Sequence, residues 1–244
     1  MHRFYADESR IAEGIACLTP EDARHALRVL RMSEGQTAEL FLNGRRFLGE
    51  ISRIDGEDVS LLLREELPST EARLRVTLYQ GLPKADKMEL IIQKAVELGA
   101  ESIVPVAMER CVVRLDERDG RKKQERWQKI AREACKQSGR CLMPTVEAPL
   151  PFRALPERLR AHGAAIVPWE DAKGFSLRGF HQEHPSIQNL AVVIGPEGGI
   201  APEEVAAMQE AGCRAVTLGP RILRTETAGL AAISALMCLY GEME

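Results

Sequence analysis

Two short runs in this 244-residue chain carry residue types suited to chemistry. The first, "AVVIGPEGGIAPEEV" at 191–205, reads as a buried strand that passes through a glycine-rich turn into a helix. Its glycines let backbone come close to a ligand. It is not G-x-G-x-x-G, and no Gly-Lys-Ser/Thr follows. Glu197 sits in the turn itself and would repel a polyphosphate. The turn therefore suits a neutral or cationic ligand, or one read through ribose and base edges. The second run, "LGPRILRTETAGLAA" at 218–232, breaks a strand at Gly219-Pro220 and sets Arg221 and Arg224 around Ile222-Leu223. The aliphatics can wall an apolar slot, such as one for an adenine ring. The arginines cannot be buried unpaired. They point at phosphate or an oxyanion, or pair with Glu226 or Glu197. Thr225 is expected to cap the last helix, with Glu226 at its positive end. A third strand end, Pro168 to Glu170, can complete a pocket, although Trp169 there reads as core filler.

These runs need a scaffold. "RLRVTLYQGL", "SIVPVA", "AAIVPWE", "NLAVVIGPE" and "RAVTLG" read as strands. Between and after them lie helical stretches at 84–99, 119–138, 152–161, 202–211 and 226–240. The helix at 84–99 has apolar residues at 88, 91, 92, 95 and 98 and ends at Gly99. In the basic helix, Trp127, Ile130, Ala134 and Cys135 face inward. Strands alternating with helices predict an α/β fold with a mostly parallel sheet covered on both faces. Ligands then bind beyond the carboxyl ends of the strands. Ala201 is a poor cap for the helix at 202–211, so another group must satisfy its first amides.

The first third of the chain differs. "TPEDARHALRVLRM" predicts a helix capped by Thr19, with Pro20 at its first position and Arg24, Arg28 and Arg31 on one face. "TAELFL", Asn43-Gly44 and "RRFLGEISRI" predict a hairpin with a type I′ turn. "DGEDVSLLL" adds a strand. The polar break "LPSTEA" at 67–72 marks a domain boundary, giving domains at 1–70 and 71–244.

Composition narrows the function classes. Hydrophobic residues at 45% and charged residues at 28% are ordinary for a globular protein. No run of about 18 apolar residues is present, which argues against a membrane span. The start, "MHRFYADESR", has no apolar core of a secretion signal. The six cysteines form no C-x-x-C pair, so no metal site is expected and a reduced, cytoplasmic setting is. His181 and His184 read as a solvated loop pair. Net charge is −3, yet residues 110–140 hold eleven Lys/Arg against five acids. A basic face on an acidic body is a phosphate footprint or a solvated helix surface.

Taken with "HRFY" at 2–5, "RHALRVLRM" at 24–32, "KADKMELIIQKAVELGA" at 84–100 and "RWQKIAREACKQSGR" at 126–140, the two runs make the chain resemble a known family. These are the bacterial enzymes that methylate N3 of a uridine in 16S ribosomal RNA, within the SPOUT, or trefoil-knot, methyltransferases. "IGPEGG" at 194–199 with "LGPRILRTETA" at 218–228 is the specific part. Ala201 departs from the pattern, where Ser or another capping residue is expected. The resemblance implies a PUA-like β-barrel that grips RNA, followed by a SPOUT domain with a C-terminal knot. It also implies a homodimer and S-adenosylmethionine as methyl donor. Leu218, Ile222 and Leu223 would wall the adenosyl group, with Ile194, Gly195, Pro196, Glu197, Gly199, Gly219 and Thr225 completing its site. Arg224 would stabilise the uracil anion, with Arg221 or Arg3 on a neighbouring phosphate. The base stays open between water, Glu197 and Glu226. Arg24, Arg28, Arg31, Lys122, Lys123, Arg126, Arg132 and Arg140 would contact RNA of the small ribosomal subunit. The competing readings are a non-catalytic RNA-binding assembly factor and a small-molecule enzyme with a nucleotide in the glycine-rich turn.

Overall fold

A computed structural model describes residues 1–6, 10–42 and 44–243. The chain divides into two compact units, Met1–Glu71 with Cys135–Met143, and Ala72–Ala134 with Pro144–Glu244.

The first unit holds β1 (Arg3–Tyr5), β2 (Ile11–Ala12), β3 (Ile15–Cys17), α1 (Pro20–Arg24), β4 (Thr37–Leu42), β5 (Arg45–Asp55) and β6 (Asp58–Leu67). Its sheet runs β1-β4-β5-β6-β3-β2, parallel at β1–β4 and antiparallel elsewhere. Phe4, Leu40, Phe47, Ile51 and Leu61 fill its core. Asn43 of the expected turn lies outside the described residues, and Gly44 has φ +80°. The segment 135–143, expected in the second domain, belongs here for a stated reason. Arg140 donates to Glu71 Oε2 at 2.6 Å, and the amides of Cys141 and Leu142 donate to Oε1 at 2.6 and 3.0 Å. The Tyr5 hydroxyl donates to the Arg140 carbonyl at 2.7 Å. A single carboxylate thus accepts from one side chain and two backbone amides of this turn.

Thr19 caps α1 as expected, accepting from the Asp22 amide at 3.2 Å. Past Arg24 the helix does not continue as an α-helix. Residues His25–Val29 wind as a π-turn, with the Leu30 amide bonded to the His25 carbonyl at 3.0 Å. Arg31 then takes φ +52°. The α-helical spacing that puts Arg24, Arg28 and Arg31 on one face therefore does not apply.

The second unit holds β7 (Arg75–Gly81), α2 (Lys87–Glu97), β8 (Ala100–Ala107), α3 (Glu117–Ser138, whose last turn counts with the first unit), β9 (Thr145–Val146), β10 (Leu150–Pro151), α4 (Leu155–Arg160), β11 (Ala164–Pro168), α5 (Leu177–Glu183), β12 (Asn189–Ile194), α6 (Pro202–Glu210), β13 (Cys213–Val216) and α7 (Thr225–Leu239). Its sheet runs β10-β8-β7-β12-β11-β13 with β9 on β8, and every pairing is parallel. β12 follows β11 in the chain but lies between β7 and β11. The strand ends that precede the two chemical runs are therefore near neighbours, separated only by β11. Helix α2 starts at Lys87 rather than at the expected 84, because Ala85 takes φ +54°. Met88, Ile91, Ile92, Ala95 and Val96 form its buried stripe, and Gly99 at φ +96° ends it. Asp116 accepts from the Asp119 amide at 2.7 Å, which starts α3 two residues before the expected position.

One local reading is corrected. His181 and His184 are not a loop pair: His181 lies on α5, packed edge-on against Tyr240 with ring centroids 4.6 Å apart, and His184 ends that helix against Phe180. The small-residue helix α7 packs inward, where a Cβ on Gly229 would meet Ile194 and Leu78 at 3.4 and 3.5 Å.

Candidate active site

The carboxyl ends of β12, β11 and β13 open onto one cleft of about 880 Å³. That volume suits a nucleoside-sized ligand. Ile194, Gly195, Pro196, Glu197 and Gly199 line one side. Leu218, Gly219, Arg221, Ile222, Leu223, Arg224 and Thr225 line the other. Trp169 is half-buried and forms part of the wall rather than filling the core, because the chain leaves β11 at Pro168.

The first turn is tightly built. Gly81, at the end of β7, has no room for a side chain: a Cβ there would lie 2.7 Å from Pro196 N and Cδ. At Gly195 a Cβ would meet Ile200 Cγ1 at 2.6 Å. Gly199 takes φ +73°, where an L side chain is strained. Ala201 has no side chain that can cap the helix, and Glu204 reaches back to the turn before it. Glu204 accepts from the Ala201 amide at 3.3 Å and from the Glu109 amide at 2.9 Å.

Thr225 is not a side-chain cap. Arg224 holds the N-cap position of α7, with no side-chain cap hydrogen bond. The Thr225 hydroxyl instead donates to the Gly195 carbonyl at 2.6 Å and accepts from Gln80 Nε2 at 2.9 Å. One buried hydroxyl therefore stitches the second turn to the first. Gln80 and Gly81 are strand residues that sequence reasoning missed, since only the β7–β12 pairing brings them here.

Lys87 was missed too. It is the first residue of α2, where the helix dipole disfavours a cation, and that anomaly was the available signal. Its Nζ lies 2.9 Å from Glu197 Oε1 and 3.2 Å from Glu226 Oε2. The Glu197 and Glu226 hydrogen bonds hold the Lys87 ammonium above its ordinary pKa. Burial pushes Glu197 up, but Lys87 and the Lys84 amide outweigh it and its carboxyl stays below its ordinary value. Glu226 is lowered by its own backbone amide at the helix start and by Lys87. The two carboxylates are thus ion-paired to one lysine.

The arginines differ from this pinned set. Arg224 is 80% exposed, with Nη1 4.0 Å from Glu226 Oε1. Arg221 is exposed as well. Arg3 is not part of the cleft lining: it lies in the first unit, 3.5 Å from Glu39, and donates to the Gln137 carbonyl. Of the residues expected to contact RNA, Arg24, Arg31, Lys122 and Arg132 are exposed and Lys123 is half-buried. Arg28 pairs with Glu57, and Arg126 with Glu89 at 2.7 Å. Arg140 is withdrawn from that set: it is 6% exposed and bound to Glu71, so it cannot reach a phosphate. Among the described residues, no group of three or more His, Cys, Asp or Glu is placed to hold a metal ion, and no helix is long and apolar enough to cross a membrane.

A parallel sheet with a glycine-rich cradle at its carboxyl edge, preceded by a small PUA-like β-unit, defines the SPOUT, or α/β trefoil-knot, class of methyltransferase. Residues 70–237 match the RNA methyltransferase domain family, and residues 18–63 match the RNA methyltransferase PUA domain family. Ribosomal RNA small subunit methyltransferase E of Bacillus subtilis is 38% identical over 225 residues, 90% of this chain and 88% of that protein. Its namesake from Mycobacterium tuberculosis is 34% identical over 241 residues, 96% of this chain and 90% of that protein. The crystal structure of the Neisseria gonorrhoeae ribosomal RNA small subunit methyltransferase E, bound to S-adenosyl methionine, is 35% identical. It superposes with a TM-score of 0.80 over 98% of both chains. This chain belongs to the ribosomal RNA small subunit methyltransferase E family.

Proposed function

We propose that this protein transfers a methyl group from S-adenosylmethionine to N3 of a uridine in 16S ribosomal RNA. The observation that carries the reading is the joining of the two turns, by the Thr225 hydroxyl on the Gly195 carbonyl, around one cleft. The residues fit the donor. Close-packed glycines leave backbone to read an adenosyl group, while Leu218, Ile222 and Leu223 supply apolar walls. Glu197 and Glu226 are tolerable beside a sulfonium where they would repel a triphosphate. When bound, S-adenosylmethionine supplies an electrophilic methyl carbon.

The chain's own residues do the rest. Alignment of donor and acceptor is the main requirement of such a displacement. Uracil N3 becomes nucleophilic when its proton leaves, which puts negative charge on O2 and O4. Arg224 stabilises that charge in the manner of an oxyanion hole. Arg221, which lines the cleft, holds a neighbouring phosphate in preference to Arg3, which is engaged by Glu39. Glu197 and Glu226, both ion-paired to Lys87, are the carboxylates nearest the cleft, and the N3 proton leaves to one of them or through water to the bulk buffer. Because N3 is on the pairing edge, the target base is unpaired or flipped out.

Arg24, Arg31, Lys122, Lys123 and Arg132, with Arg28 and Arg126 once their surface pairs exchange, contact the RNA backbone. Affinity for RNA then falls steeply with salt. The unit of residues 1–71 and 135–143 grips RNA, the unit of residues 72–134 and 144–244 is the knotted catalytic part, and the enzyme works in the cytoplasm as a homodimer. Incubation of unmodified small ribosomal subunits with labelled donor, followed by mapping of the modified base, tests the reading. A methyl group on uridine N3 is expected; label on another atom, or none, contradicts it.

A further inference from the structure

We propose that Lys87 is a positioning residue: by taking up the charge of Glu226 and Glu197, it keeps the Arg224 guanidinium available to the substrate. The inference rests on the methyl-transfer reading above and on Arg224 as the group that meets the uracil anion.

Glu226 has two cations within reach. Lys87 Nζ is 3.2 Å from Oε2, and Arg224 Nη1 is 4.0 Å from Oε1. The lysine is the nearer, and it is also held by Glu197 at 2.9 Å. It is anchored from behind, because α2 buries Met88, Ile91 and Ile92 immediately after it. Arg224 has no comparable anchor and its side chain is 80% exposed. A carboxylate at 17% exposure that loses its lysine keeps its backbone hydrogen bond and pulls harder on the nearest remaining cation. Arg224 sits two residues before Glu226 and is the cation already beside it. Closing from 4.0 Å to a hydrogen-bonded pair needs only rotation of an exposed side chain. Once closed, that pair withdraws the guanidinium from O2 or O4 of the substrate.

The same geometry explains a cost. A lysine at the first position of a helix opposes the macrodipole, an unfavourable placement. Two carboxylates from different elements offset it, and they converge only in the folded cleft.

The test uses the full-length protein, unmodified small subunits and S-adenosylmethionine. Wild type, Lys87→Met, Lys87→Arg and the double variant Lys87→Met/Glu226→Gln are compared for kcat, donor KM and Tm. Lys87→Met is expected to lose at least tenfold in kcat, with donor KM within about threefold. Lys87→Arg keeps a cation at the site and is expected to retain most of kcat. The double variant removes the carboxylate that traps Arg224 and is expected to regain at least threefold over Lys87→Met. Full kcat in Lys87→Met overturns the inference. So does a double variant no better than the single one, and so does an equal loss in donor KM, each while the wild type still methylates its substrate. If Lys87→Met proves too unstable to assay, an inactive but folded Lys87→Arg variant overturns it as well. A wild type that transfers no methyl group overturns the functional reading itself, and this inference with it.

Discussion

The two turns of the cleft are opposites in construction. Residues 194–201 are walled in: Pro196, Ile200 and Ala201 are buried, Gly81 presses on the Gly195-Pro196 peptide, and Glu204 closes the following helix. Residues 218–224 stand open, with Gly219, Pro220, Arg221, Ile222 and Arg224 exposed and a Thr217 hydroxyl tying down the Gly219 amide at 3.1 Å. The first is a mould that backbone shape alone determines. The second is a carrier of side chains, apolar at Leu218 and Leu223 and cationic at Arg221 and Arg224. The contrast teaches how one cleft joins two kinds of wall: a close-packed backbone mould on one side, and on the other side chains that add apolar surface and exposed charge.

That division can be broken from either side. The largest effect is expected on the open turn. Arg224→Ala should lower turnover roughly 100- to 1,000-fold, as removal of a single anion-stabilising donor does. Donor affinity by calorimetry should stay within a few-fold, and an equal loss of both would move Arg224 into the cofactor site. On the walled turn, Gly81→Ala should act in the reverse sense. Its Cβ meets backbone rather than a flexible tip, so the Gly195-Pro196 peptide must shift, at about 1–3 kcal/mol by thermal or denaturant unfolding. Donor affinity should fall with it, by tenfold or more. Thr225→Val attacks the seam between the turns. It takes one partner from Gln80 Nε2, which keeps its bond to the Gly81 carbonyl, and one from the Gly195 carbonyl, and should cost about 1–2 kcal/mol. The smallest effect should come from Ile222→Ser, since a side chain 83% exposed contributes little to folding. A change in unfolding free energy within about 0.5 kcal/mol is expected. A larger one would mean that this turn is packed in solution, as a subunit interface would pack it.

The elements that the sequence made legible are those in which side-chain period and backbone hydrogen bonding agree. The stripe Met88, Ile91, Ile92 and Ala95, closed by Gly99, reads directly as α2, and the apolar run Leu190–Ile194 reads as a buried strand. The π-turn at His25–Val29 does not, because its i→i+5 bonding leaves Leu27 and Leu30 at spacings that an α-helix also allows. In the site, the glycines and arginines of both turns were visible because their types are unusual at strand ends. Gln80, Gly81 and Lys87 were not, because each matters through a neighbour more than 100 residues away in sequence. Only the insertion of β12 between β7 and β11 creates those meetings. Trp169 was misplaced because an aromatic after a buried strand looks the same whether it fills a core or walls a cleft.

The central claim is that the two turns together form one cradle for the adenosyl donor. Amide hydrogen exchange of the protein with and without saturating S-adenosylmethionine tests it most directly. Slowed exchange is predicted in both 194–201 and 218–226, with no change in the sheet of the first unit. Protection confined to one of the two segments, or found elsewhere in the chain, would contradict it.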